Sequence, residues 1–249
     1  MTWRNDSRAA AFGSAGGGNP APVAAVTFDV TRTLIHCPRL AEIYAEVLRR
    51  HGLRAPAHEI RRRIPLVWQE LSCLASQHQD RFSTHPDGAE GWWRRFVERL
   101  CEHLALPRPS RFATAELFAR FGHADAWELF ADVLPCLQRL RRLGVRLGVV
   151  SNWDHRLPAL LDELELTPFF DSITFSSACG LEKPHPRIFL ACLEELGTSA
   201  EQTLHVGDSA LEDVEGAEAV GMLALRVERT PACDLWQMVR PMLRRPLDA

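Results

Sequence analysis

Ala25 to Phe28 is a short apolar run that ends in a carboxylate, Asp29, and gives way at once to the hydroxyl residues Thr31 and Thr33. Two later runs end similarly: Leu147 to Val150 in Ser151 and Asn152, and Leu204 to Gly207 in Asp208 and Ser209. Between them Lys183 stands in a loop stiffened by Pro184 and Pro186, and Asp213 follows Asp208 by five residues. Apolar runs this short, bounded by turn-forming residues, read as buried strands, and open α/β sheets place their sites at the carboxyl ends of such strands. A carboxylate nucleophile, a hydroxyl donor, a lysine and a second pair of carboxylates are a set suited to phosphoryl transfer.

The elements that must position these groups alternate from Pro135 onward. Helices are expected over Pro135 to Leu143, His155 to Leu164 (with Asp154 as cap), Pro186 to Leu196 and Leu211 to Ala219, with a last one over Asp234 to Arg240. Strands are expected over Arg146 to Val150, Ser172 to Ser176, Thr203 to Val206 and Leu223 to Val227. Such alternation predicts a parallel sheet flanked by helices. Residues 38 to 130 differ: Leu40, Ile43, Tyr44, Val47 and Leu48 fall at helical spacing, His58 to Gln79 and Gly91 to Leu104 read similarly, and no strand is expected among them. The chain therefore divides into a tail over 1–20, read as loose, a core over 21–37 and 131–249, and a helical insertion over 38–130.

Composition narrows the function. A length of 249 residues with 46% apolar content suffices for a substantial core. A formal charge of -3 offers no basic field for nucleic acid, and Arg61-Arg62-Arg63 and Arg94-Arg95 read as solvated helix faces. The seven cysteines are scattered without a Cys-x-x-Cys pair, which argues against a disulfide framework or zinc site and for a reducing, cytoplasmic home. No segment approaches the roughly 20 apolar residues of a membrane span.

In order along the chain, Asp29 with Thr33, Ser151, Lys183-Pro184, and Gly207-Asp208-Ser209 with Asp213 and Gly216 resemble the four motifs of the haloacid dehalogenase (HAD) superfamily. The likeness runs from about Val23 to Val227 and points to subfamily IA, whose helical cap is inserted after the first motif. Within it, Ser151 to Asp154 and Lys183 to Phe189 look most like the haloacid dehalogenase-like hydrolase domain-containing-protein-three group. The resemblance implies a Rossmann-like α/β core and a slow phosphatase working through an aspartyl-phosphate on Asp29. It implies Mg2+ held by Asp29, the Thr31 carbonyl and Asp208, with Asp213 holding the metal's waters or orienting Lys183. Ser151 and Asn152 would donate to the phosphoryl group, Lys183 would offset accumulated negative charge, and a small phosphorylated metabolite would be the substrate. Glu212 is assigned only the role of a helix-start acid.

The chain departs from that pattern at Thr31, where phosphatase members usually carry a second aspartate that protonates the leaving group and then activates water. A threonine hydroxyl donates a hydrogen bond but does not ionise in the working range. Arg32 stands where glycine is common. These two residues support an alternative, a phosphate- or protein-binding pseudoenzyme; a haloacid dehalogenase is a further alternative, opposed by the intact Asp208. Trp68, Trp92, Trp93, His78 and His85 are candidates for substrate selection in the insertion, though a Trp pair on a helix also suits one core residue and one partly exposed neighbour. His36 and Arg39 either line the cleft or mark the hinge.

Overall fold

The computed structural model describes residues 22–73 and 79–243; the tail over 1–20 and His78 lie outside them. Five strands form a parallel sheet: β1 (Ala25–Phe28), β4 (Arg146–Ser151), β5 (Ser172–Phe175), β6 (Thr203–Gly207) and β7 (Leu223–Arg226), in the spatial order β5-β4-β1-β6-β7. β1 is central and pairs with β4 on one side and β6 on the other. The carboxyl ends that carry Asp29, Ser151 and Asp208 are therefore neighbours, where a parallel sheet of this order opens a crevice.

Alternating residues of each strand feed two apolar layers. Val26, Phe28, Leu147, Val149, Leu204 and Val206 pack with α5 (Val133–Arg142), α6 (Leu157–Glu163) and α10 (Leu235–Leu243). Ala25 and Val150 pack on the opposite face with α8 (Pro186–Leu196) and the short α9 (Gly216–Glu218). A one-turn helix, α7 (Ser176–Cys179), follows β5, so the strand expected to reach Ser176 stops one residue earlier.

The insertion consists of α1 (Leu40–Arg50), α2 (Ala57–Cys73), α3 (Gly88–His103) and α4 (Arg111–Arg120), with a hydrophobic cluster of its own around Tyr44, Leu48, Ile60, Trp92, Phe96 and Leu100. Within 38–130 the expectation of no strand is corrected by β3 (Glu128–Leu129), which pairs antiparallel with β2 (Ile35–His36). Two residues are too few to show a period of two, yet this pairing ties together the two ends of the insertion. α4 also went unpredicted.

The expected helix over Leu211 to Ala219 begins as a wide π-turn, Ala210–Glu215, before the single α-turn of α9. Asp213 sits in this widened stretch and is held by groups from other elements, a setting in which π-turns recur at functional sites. Asp154 does not cap α6. The N-cap position belongs to Arg156, and Asp154 instead accepts the Arg156 backbone N–H (3.1 Å).

Candidate active site

Asp29 leaves the end of β1 with its backbone N–H bonded to Val206 O of β6 (2.9 Å), which fixes its direction. Its Oδ1 accepts from Ser151 Oγ (2.8 Å) and from Lys183 Nζ (2.7 Å). No side chain among the described residues donates to Oδ2, so that oxygen is free to act. Lys183 is fully buried and bridges Asp29 to Asp213 Oδ1 (2.5 Å). Asp213 also receives His205 Nε2 (3.2 Å) and the Ser209 N–H (2.9 Å). His205 is pinned in turn by Thr27 Oγ1 (2.9 Å), so a buried polar chain crosses from β1 through β6 to the lysine. Gly207 is required beside it, because a Cβ there would collide with the Asp213 carboxylate.

The titration of these groups follows from burial and charge. Burial pushes the Asp29 carboxyl above its ordinary value, against the Lys183 ammonium, and neighbouring Asp213 adds to the rise. Burial alone would lower Lys183, but the two carboxylates flanking it hold the ammonium above its usual range. Asp213 is held well below the carboxylate range: burial opposes ionisation, and Lys183 and His205 overcome it. Burial also raises Asp208, partly countered by Arg32, whose Nε lies 3.2 Å from Asp208 Oδ2. Carboxylate oxygens of Asp29, Asp208 and Asp213 lie within 4.8 Å of one another, a hard oxygen set that could hold a metal ion.

These groups open into a cavity of about 560 Å³ between the sheet edge and the insertion. Asp29, Thr31, Arg32, Ser151, Asp208 and Asp213 form its floor; Tyr44, Trp68, Trp93 and Phe118 are among its walls. A second hollow of about 600 Å³, lined by Glu46, Arg49, Arg54 and neighbours, holds none of these groups. Every residue singled out for the chemistry comes together except in one respect. Asn152 lines the cavity, but its amide is turned to the Lys183 backbone, with Oδ1 accepting from Lys183 N (2.7 Å) and Nδ2 donating to Lys183 O (3.1 Å). It clamps the lysine loop rather than offering its donors to a ligand.

Of the insertion candidates, Trp68 and Trp93 reach the cavity, while Trp92 is buried in the helical core and meets Trp93 edge-on at 4.8 Å. His85 and His36 do not line it; His36 stacks on Phe130 (4.5 Å) at the strand pair that closes the insertion. Arg39 lies off it as well.

Several contributors were not foreseen. Thr31 Oγ1 accepts from the Trp153 indole N–H (2.9 Å). Glu212, read as a plain helix-start acid, lines the cavity with its carboxyl pushed up to about 7 by burial, against Lys183 and Arg81. Two arginines on the cavity wall are already paired: Arg81 with Glu182 (2.8 and 3.1 Å) and Arg156 with Asp154 (2.8 and 2.6 Å). The signal for Glu212 lay in its place beside Asp213, and Arg156 stands two residues from Asp154; for His205 and for Arg81, partners 8 and 101 residues away left none.

A family model described as haloacid dehalogenase-like hydrolase matches residues 23–221. The chain is 30% identical over 213 residues to haloacid dehalogenase-like hydrolase domain-containing protein 3 of Homo sapiens, covering 84% of this chain and 83% of that protein. It is 30% identical over 216 residues to glyceraldehyde 3-phosphate phosphatase of Methanopyrus kandleri, covering 83% and 84%. Among solved structures it resembles a HAD phosphatase from Thermococcus onnurineus (TM-score 0.57, 25% identity, 85% of this chain and 89% of that one). The magnesium-bound HAD-hydrolase YfnB from Bacillus subtilis shares the fold (TM-score 0.67, 18% identity, 83% and 89%). With the family match spanning most of the chain and the sheet order bringing its motifs to one crevice, the protein belongs to the haloacid dehalogenase-like hydrolases.

Proposed function

We propose that the protein is a Mg2+-dependent phosphatase of small phosphomonoesters in which Asp29 is the nucleophile. The observation that carries this reading is the convergence of Ser151 Oγ and Lys183 Nζ on one oxygen of Asp29, a residue that lines the cavity, with no side-chain donor on Oδ2 among the described residues. Oδ2 attacks phosphorus, the bond from phosphorus to the ester oxygen breaks with its electron pair leaving on that oxygen, and an aspartyl-phosphate forms. Water then attacks phosphorus, releases inorganic phosphate and restores the carboxylate. Lys183 holds Asp29 and Asp213 in place and offsets their charge, and Asn152 holds Lys183.

The donor set fits a hard divalent cation: Asp29, Asp208 and Asp213, with the Thr31 carbonyl, would hold Mg2+. When bound, it supplies charge neutralisation for the phosphoryl oxygens. Residues 38–130 act as a cap that selects the ester group over a core of 21–37 and 131–249. The phosphatase names among the relatives support the same chemistry.

A second reading, a phosphate-binding protein without turnover, is favoured by two observations: Thr31 cannot exchange a proton, and Arg32 already pairs with Asp208. Steady-state hydrolysis of para-nitrophenyl phosphate with Mg2+, comparing the parent with Asp29→Asn, separates them. Activity abolished in the variant supports the phosphatase; equal inactivity of both supports the binding protein. Activity that survives chelation would instead support a dehalogenase-like, metal-free site.

A further inference from the structure

The cavity above Asp29 is apolar and aromatic where the ester group must sit. Trp68 and Trp93 lie 6.0 Å apart, Phe82 stacks on Trp93 at 6.0 Å, and Phe118 carries the Arg156 guanidinium at 3.7 Å. Trp127 and Trp153 meet at 5.5 Å and continue the aromatic wall toward Thr31.

Charge recognition is correspondingly scarce. Arg81 and Glu182 are both buried and share two hydrogen bonds. Arg156 is bound on both sides of its fork by Asp154 and also donates to the Phe118 carbonyl. Arg32 lies against Asp208, and Lys183 is held between Asp29 and Asp213. Both arginines of the aromatic wall are thus committed, while Arg32, 76% exposed, lies on the floor beside Asp208.

The missing proton donor points the same way. With threonine at position 31, the departing oxygen leaves with its electron pair and little assistance. A phenol of the tyrosine kind ionises near pH 10, whereas water, like a simple alcohol, holds its proton to about 15.7.

Resting on the phosphatase reading, we propose that the substrates are phosphomonoesters of uncharged aromatic alcohols, phenols above all, with the ring stacked among Trp68, Phe82, Trp93 and Phe118. Offset and edge-on packing of such rings adds to the burial of their area, and an aromatic wall whose two arginines, Arg81 and Arg156, are already paired discriminates against esters that would place a carboxylate or second phosphate there.

Binding of non-hydrolysable phosphonates to the full chain with Mg2+, read by calorimetry, tests the class without needing turnover. Naphthylmethylphosphonate is expected to bind about tenfold or more tightly than methylphosphonate, and 2-carboxyethylphosphonate no more tightly than methylphosphonate. Trp68→Ala and Phe118→Ala should remove most of the aromatic advantage, read in each variant as the ratio of naphthylmethylphosphonate to methylphosphonate affinity. Trp68 is 39% exposed, so its truncation spares the fold, and Trp68→Phe should restore the advantage. Equal affinities for all three probes, no binding of any, or tightest binding of the carboxylate probe would overturn the proposal. If the aromatic preference holds in a protein that hydrolyses no phosphomonoester, the ligand class stands and the phosphatase reading falls. If para-nitrophenyl phosphate is hydrolysed in an Asp29-dependent way without aromatic preference, the reverse holds.

Discussion

At the scale of single residues, the proposed phosphatase chemistry makes position 31 the place to test the rate. Thr31 lines the cavity without a titratable group, and its hydroxyl accepts from the Trp153 indole. Thr31→Asp keeps an acceptor for that N–H while adding a titratable group. It is expected to raise kcat on alkyl phosphates by about 10² or more, and less on para-nitrophenyl phosphate, whose leaving group needs no proton; steady-state kinetics on both substrates checks this. Arg32 is a non-glycine residue at φ 64°, a backbone region that strains an L side chain, and it pairs with Asp208 across exposed space. Arg32→Gly relieves the strain and frees the carboxylate, so Mg2+ binding measured by calorimetry should tighten by about two- to fivefold. Burial opposes ionisation of Asp154, but Arg156 and the Trp93 N–H (2.9 Å) hold its carboxyl below the ordinary 3.8. A depressed pKa contributes stability that is full above 3.8 and is lost as pH falls through the folded value. Asp154→Asn should therefore lower Tm at neutral pH, with the gap to the parent closing below pH 3.8; thermal melts across pH test that.

At the scale of elements, the insertion and the lysine loop are joined by a buried pair. Arg81, between α2 and α3, binds Glu182, the residue before Lys183, and the Asp80 N–H bonds Gly180 O (3.1 Å) nearby. Arg81 also lies 4.9 Å from the Trp68 ring, so one guanidinium touches both the aromatic wall and the segment that carries the ammonium. Glu182→Gln leaves Arg81 buried without its counter-charge and should cost about 3–5 kcal/mol, a fall in Tm of roughly 6 to 20 °C at 2–4 °C per kcal/mol. It should also lower kcat through displacement of Lys183. Denaturant melts paired with kinetics check both, and loss of stability at unchanged kcat would mean that the loop holds without the pair.

At the scale of the whole molecule, the helices between β2 and β3 and the carboxyl edge of the sheet border one cavity, so Asp29, the carboxylate cluster and the aromatic wall share a single compartment. Chelation of Mg2+ should abolish hydrolysis and readdition restore it, because Asp29, Asp208 and Asp213 crowd more negative charge than Lys183 offsets. Among the described residues no helix is long and apolar enough to cross a membrane. The sheet, its flanking helices and the four motif positions were legible because each depends on local periodicity or on a few residues at a strand's end. Asp29, Ser151, Lys183 and Asp208 could be named before any fold was drawn, since short apolar runs followed by polar residues put three of them at strand ends and flanking prolines marked the loop of Lys183. The two-residue β3, the π-turn at Ala210–Glu215 and α4 left no comparable pattern. Only the tertiary structure decided that Asn152 holds the lysine loop, that His205 and Glu212 belong to the site, and that Arg81 and Arg156 are already paired. Except for Arg156 and Asp154, two residues apart, those relations join groups separated along the chain, and their energies exist only once packing has removed water and set the partners' distances. The sequence by itself determined the chemistry on offer; packing decided which groups are free to perform it.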